Sequence, residues 1–194
     1  ENYNDAIFYF KEAVKKAPDS TQALFNLGKA LRLSGSLDGS KKIFEEILRK
    51  NKQHLSSILE LAHIHVATGN LGKAAEYCNR ADTKAKEVKD LTSQFVAHRL
   101  LASIHLKKED LLAYKKELET TVQINPNDEP SLLDLAAVED KLGNAEIAVK
   151  YLLKYHERNK KFSEAFYDAS IRQLLKVENG ADAKTYAVEA TARY

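Results

Sequence analysis

Apolar and polar positions along this chain follow a helical rhythm that comes in blocks. Leu24, Leu27 and Leu31 stand three and four residues apart, one stripe of an amphipathic helix, and Phe44 with Ile47 carries the stripe of a second helix. A fixed period underlies the blocks. Small residues at Gly28, Ala62, Ala102, Ala136 and Ser170 are separated by 34, 40, 34 and 34, and a second ladder of Ala6, Ser40, Ala74, Tyr114 and Ala148 by 34, 34, 40 and 34. Turn glycines Gly35, Gly69 and Gly143 are separated by 34 and 74, and Pro18 lies 108 residues before Pro126. All four series require a 34-residue unit with one insertion of six residues between Gly69 and Ala102.

The period has a physical reading. Two antiparallel helices that cross closely need small side chains where their backbones approach, so Gly28 and Ala62 are expected to face the regions of Ser40 and Ala74. Pro126 lacks an amide hydrogen and disfavours helix at Asn125, so one helix is predicted to stop there, with Asp128 capping the next and Pro130 in its first turn. The six extra residues, KDLTSQ (89–94), are read as lengthening the preceding helix by about a turn and a half. Within residues 95–128, Glu109 stands where the turn glycine belongs and Tyr114 where the small residue belongs, which predicts a wider helix pair and a kink. Asn179 and Gly180 read as a helix stop three residues late, leaving residues 181–194 as a helix out of phase.

The opening ENYNDAIFYFKEAVKKAPDS carries Ala6, Phe10, Ala13 and Pro18, each 34 residues before Ser40, Phe44, Ile47 and Lys52. It is expected to be the second helix of a unit whose first helix is missing, making the chain a window on a longer array. Its Ala6, Phe10 and Ala13 face would be partly uncovered and open to self-association; closure on itself as a cap is the alternative.

These ladders resemble the tetratricopeptide repeat, a 34-residue helix-turn-helix unit with the pattern W-x2-L-G-x2-Y, then A-x3-F, then P. Residues 21–54 fit best, with Leu24, Leu27, Gly28 and Leu31 on the first helix, Gly35 at the turn, and Ser40 with Phe44 on A-x3-F. The following unit supplies Ile58, Leu61, Ala62, His65, Gly69, Ala74 and Cys78, and a later one Leu132, Leu135, Ala136, Gly143, Ala148 and Leu152. The resemblance implies an all-α, right-handed superhelical solenoid of antiparallel helix pairs, about 11 helices in one array. Its expected parts are a truncated repeat at 1–20, complete repeats at 21–54, 55–88, 95–128 and 129–162, an insertion at 89–94, and a degenerate repeat at 163–194.

Composition narrows function more than fold. With 7 Gly and 3 Pro against 30 Lys+Arg and 28 Asp+Glu, the chain has the make-up of long charged helices rather than strands and turns. A net charge of +2 offers no dense basic stripe: KKIFEEILRKNK and KYHERNKK are interrupted by acids or apolar residues and read as solvated faces, so no nucleic-acid partner is expected. No stretch approaches the ~18 apolar residues of a membrane span, and no membrane insertion is expected. Cys78, the single cysteine, has no partner for a disulfide and no second thiolate for zinc, so it reads as a small buried hydrophobe. GSLDGSKK (35–42) lacks the spacing of a phosphate loop and reads as an inter-helix turn. His63 and His65, two apart, point to opposite sides of a helix; His65 and His105 fall where the repeat has Tyr, and His98 near its Trp, which predicts packing rather than ligation. No catalytic, cofactor-binding or metal-binding residue is singled out, and an enzyme is not expected.

In the resembled family the first helices line a concave side, which implies a partner-binding groove. The positions that match are Phe25, Asn26, Lys29 and Arg32; Leu59, Glu60 and His63; Arg99 and Ser103; Leu133 and Asp134; Tyr167 and Asp168. Phe25, Leu59, Leu133 and Tyr167 are apolar where a solvated face would be charged, which suits anchors for an extended or helical peptide; the competing reading packs them under neighbouring helices. Lys29 and Arg32 at one end and Asp134 and Asp168 at the other predict a ligand of opposite polarity. The carboxylate clamp of the family's co-chaperones needs Lys and Asn, a second Asn, then Lys and Arg. The matching positions hold Phe25 and Lys29, Glu60, then Val96 and Leu100, so a chaperone tail is not expected. The implied function is a protein-protein interaction scaffold or adaptor that holds a partner peptide or protein segment; the alternative is a substrate-recruiting or regulatory module of a larger enzyme. The cytoplasm stands ahead of the periplasm as its compartment.

Overall fold

The computed structural model describes residues 3–158 and 162–193. The last residues of KYHERNKK, 159–161, lie outside them. Among the described residues are eleven α-helices and no strand: α1 (Tyr3–Lys16), α2 (Thr21–Leu33), α3 (Leu37–Lys50), α4 (Leu55–Ala67), α5 (Leu71–Val88), α6 (Leu91–Lys107), α7 (Leu111–Ile124), α8 (Glu129–Lys141), α9 (Ala145–Arg158), α10 (Glu164–Lys176) and α11 (Gly180–Arg193). The all-α class read from the period is the class observed. The chain divides into two compact units, residues 1–104 and 105–194. In the first, α2 pairs with α3 and α4 with α5, with α1 against α2; in the second, α8 pairs with α9 and α10 with α11, with α7 against α8.

Local chemistry explains where the helices begin. Ser20, Asn70, Asp110, Asp128, Ser163 and Asn179 each accept a hydrogen bond from a backbone N–H three residues on, satisfying donors that the first helical turn leaves orphaned. His54 does the same for α4 through Nδ1, accepting from the Ser57 N–H at 3.3 Å. Pro130 falls in the first turn of α8, and Asn125 ends α7, as the proline pattern predicts.

The hairpin contact is as tight as the small-residue ladder requires. Ser40 Oγ donates to the Gly28 carbonyl oxygen at 2.7 Å, and both residues are buried. A Cβ placed on Gly28 would stand 2.8 Å from the fully buried Phe44 ring, so only glycine fits without displacing it. Ala62, Ala74 and Cys78 repeat the arrangement one unit later, joined in one cluster with Leu100, Leu101 and Ile104.

Three corrections concern the irregular places. The six inserted residues do not simply extend α5: α5 has 18 residues against 14 in α3, α6 has 17 against 13 in α4, and the linker shrinks from four residues (51–54) to two (89–90). The insertion is therefore divided between both helices, and Lys89 turns the corner in the left-handed region at φ 56. Near the C-terminus, Gly180 is not a helix stop but the first residue of α11, capped by Asn179. Glu178 takes the left-handed turn position (φ 59) two residues after α10, the place that Gly35, Gly69 and Gly143 hold after their helices. The last repeat is thus only one residue late, and buried Ala183 stands 35 residues after Ala148 on the small-residue ladder.

Glu109 occupies the same left-handed turn position at φ 59. A side chain there crowds the following carbonyl, at about 1 kcal/mol or slightly more. Glu109→Gly is expected to stabilise the chain by about 0.5 kcal/mol in urea unfolding, a net of this relief against the added freedom of the unfolded glycine. A loss of stability would contradict the strain.

Candidate protein-binding surface

Within each unit the first helices of successive pairs touch while the second helices splay. In the first unit α2 lies against α4, whereas α3 and α5 border an open cleft of about 430 Å³. In the second unit α8 lies against α10, whereas α7 and α9 border a cleft of about 500 Å³. A stack that is closed on one side and open on the other curves locally toward the closed side, so the first helices carry the inner face of each unit.

The inner face of the first unit is a polar strip. Gln22 Nε2 donates to Asn26 Oδ1 at 2.9 Å one helical turn away, and Lys29 is exposed one turn further on. Arg32 Nε reaches from α2 to Glu60 of α4 in an ion pair whose carboxylate residue is only 9% exposed. This pairing balances Glu60 and removes Arg32 as an unpaired basic group. His63 is half-buried beside the pair; burial and the Arg32 charge push its pKa below the usual imidazole value, so it is neutral at pH 7. Arg99 and Ser103, on α6, are half-buried.

Several expected anchors are turned into the core. Leu59 is 8% exposed within the cluster of Phe44, Ile47 and Ile58. Phe25 is half-buried, its ring 5.6 Å from Phe44 and 5.7 Å from His54. Tyr167 is 3% exposed: it meets Phe162 edge-on at 5.5 Å and its hydroxyl donates to Glu189 at 3.4 Å. Leu133 packs half-buried against the same cluster. Asp134 is half-buried, and exposed Asp168 pairs with Arg172 on its own helix. What these residues leave accessible is mainly polar, Asn26, Lys29 and the Arg32–Glu60 pair in one unit and Asp168 in the other, with half-buried Phe25 and Leu133 adding a smaller apolar part.

The remaining candidate chemistry is absorbed by packing. Cys78 is fully buried. His65 stacks on Tyr77 at 5.5 Å, His98 Nε2 lies 3.2 Å from Asp82, and His105 Nδ1 lies 3.9 Å from Asp110. Among the described residues no three His, Cys, Asp or Glu side chains converge on a metal position, and no helix is long and apolar enough to cross a membrane. Of GSLDGSKK only Gly35 and Ser36 form the inter-helix turn; Leu37 to Lys42, read as part of that turn, are the first residues of α3, because the left-handed Gly35 completes the reversal by itself. Sequence reasoning missed Glu139, a fully buried carboxylate held by Lys115 at 2.7 Å and by Asn144 Nδ2 at 2.9 Å. Glu139 stands 34 residues after His105 and 34 before buried Gln173, so a ladder of polar residues at one internal position was the available signal.

The sequence pattern of the tetratricopeptide repeat matches residues 1–58. No curated protein matches the chain. Among solved structures, the chain is similar to PilF of Pseudomonas aeruginosa, with a TM-score of 0.77 at 14% identity over 100% of this chain and 85% of that one. It is also similar to PilW, a type IV pilus biogenesis factor, with a TM-score of 0.72 at 16% identity over 99% and 86%. A third likeness is to YrrB, a repeat protein with an unusual peptide-binding site, with a TM-score of 0.63 at 15% identity over 93% and 90%. At these identities the likeness is one of fold.

Proposed function

We infer that this chain, whose residues 1–58 match the tetratricopeptide repeat and whose fold is that of such proteins, is a protein-interaction scaffold whose inner helix faces hold a segment of another protein. The observation that carries this reading is the strip of Asn26, Lys29, Arg32, Glu60 and His63 across two touching first helices. Side chains spaced one turn apart on α2, with a charge pair fixed on α4, offer donors and acceptors at a regular pitch along a peptide backbone. Leu59 and Tyr167 act beneath this surface as its support rather than as anchors, so specificity comes from polar contacts and from half-buried Phe25. The peptide-binding site of YrrB is in keeping with such a role. The family's use as an interaction module likewise favours a non-catalytic protein over a recruiting arm of an enzyme.

The test is affinity capture from the source lysate with identification by mass spectrometry. The wild-type chain is compared with a variant carrying Asn26→Ala, Lys29→Glu and Asp168→Lys, all accessible positions whose exchange should leave the helical circular dichroism unchanged. The expected outcome is a protein captured by the wild type and weakened at least about tenfold in the variant, since a contact residue that matters costs more than 1 kcal/mol. Equal capture by both would move the partner away from the inner faces and overturn the reading.

A further inference from the structure

The cleft on the outer side of the first unit is lined by Glu45, Leu48, Arg49 and Lys52 from α3 and its end, and by Tyr77 and Arg80 from α5. Adding 74 to each number gives Glu119, Val122, Gln123, Pro126, Tyr151 and Lys154, all of which line the cleft between α7 and α9. The two clefts are therefore the same place in the repeat. Glutamate, an aliphatic residue, tyrosine and one cation are common to both, as expected if they pack the seam between second helices. Arg49 and Lys52 differ: their counterparts are Gln123 and Pro126, so the fold builds this seam without charge at those positions.

In the first unit three cations thus surround an apolar floor made by buried Leu48 and half-buried Tyr77. Glu45, the carboxylate in this lining, already faces Lys41 at 3.9 Å. Arg80 is fixed in place by donating from its guanidinium to the Lys52 carbonyl oxygen, and Arg49 and Lys52 are exposed. Burial, and after it the nearby Lys41 and Lys73 charges, lowers the pKa of neighbouring His65. Cations at the end of α3 favour the helix dipole, and Arg80 meets them from α5 at the seam position that Lys154 holds in the second unit.

We propose that the outer cleft between α3 and α5 is a second protein-docking surface, and that its ligand is an acidic peptide segment carrying an aliphatic or aromatic side chain between carboxylates. Leu48 and Tyr77 receive the apolar side chain; Arg49, Lys52 and Arg80 pair with the flanking carboxylates. This surface is distinct from the inner faces, so either site can fail without the other.

The experiment is fluorescence anisotropy on the whole chain with a short labelled peptide in which Asp and Glu flank Leu and Phe. Comparison ligands are the same peptide with Lys for every acid and a labelled oligo-dT. The acidic peptide is expected to saturate the chain and to weaken as salt is raised, while the lysine peptide does not bind. Arg49→Gln with Lys52→Gln, which copies the uncharged character of the second unit, should weaken the acidic peptide about tenfold or more; Lys29→Glu on the inner face should leave it unchanged. Arg49→Glu with Lys52→Glu should reverse the preference toward the lysine peptide. The proposal is overturned if the acidic peptide fails to saturate, if both peptides bind alike, or if the glutamine pair has no effect. Stronger binding of oligo-dT than of the acidic peptide also overturns it, and assigns the patch to phosphate backbones instead.

Discussion

Lys115→Met is expected to destabilise the second unit by about 3–5 kcal/mol, because it leaves the Glu139 carboxylate buried without its cation. Glu139 is enclosed between α7 and α8, and Asn144 satisfies only one of its oxygens. Removing both charges is a different matter: Lys115→Met with Glu139→Leu should recover most of the loss, since no desolvated charge then remains. Native-state amide exchange in α7 and α8 would read the change locally, which suits a repeat architecture whose units open separately. A single variant as destabilised as the double one would show that Glu139 depends on shape rather than charge. The pair also sets a pH dependence. Its hydrogen bond to Glu139 holds the Lys115 ammonium above the ordinary value of 10.5, so the folded state binds that proton more tightly than the unfolded chain. The resulting stability is complete below pH 10.5 and is lost as pH rises through the higher folded value. An alkaline loosening of α7 and α8 present in the wild type should be missing from Lys115→Met.

Phe44→Ala is expected to cost about 3–5 kcal/mol in the first unit, because the ring is wholly buried between α2 and α3 and leaves a cavity. Its partner across the hairpin is Gly28, where any Cβ meets the ring at 2.8 Å. Gly28→Val should therefore be destabilising alone, by about 1–3 kcal/mol, through overpacking. Combined with Phe44→Ala it should be less harmful, the new side chain occupying space the ring has vacated. The double-mutant cycle is expected to show a coupling of at least about 1 kcal/mol. Additive losses would mean that the two residues do not share the contact.

Much of this is legible in the sequence. The Gly28 and Ser40 ladders placed the hairpin contact, Pro126 and Asp128 placed a helix boundary, and Glu109 marked a turn where glycine was missing; each is a local requirement of backbone geometry. The C-terminal repeat misled because Asn179 and Gly180 have the composition of a helix stop, yet Asn179 serves equally well as an N-cap. Only the neighbouring turn at Glu178 decided between the two uses.

The inner surface shows the same division. Helical spacing put Phe25, Leu59 and Tyr167 on first-helix faces, but spacing is blind to what covers a face, and here Leu59 and Tyr167 are buried and Phe25 half-buried. Arg32 and Glu60 are 28 residues apart, and Lys115 and Glu139 lie on separate helices, so nothing local pairs them. The three cations of the outer cleft lie on α3, on the linker after it and on α5, and converge only because second helices splay. By itself the sequence determined the period, the helices, their caps and the place where each pair closes, because these depend on neighbours within a repeat. The tertiary structure alone decided which apolar residues are hidden, which charges are matched and where unmatched ones gather, because those depend on the distance between helices that no single repeat contains.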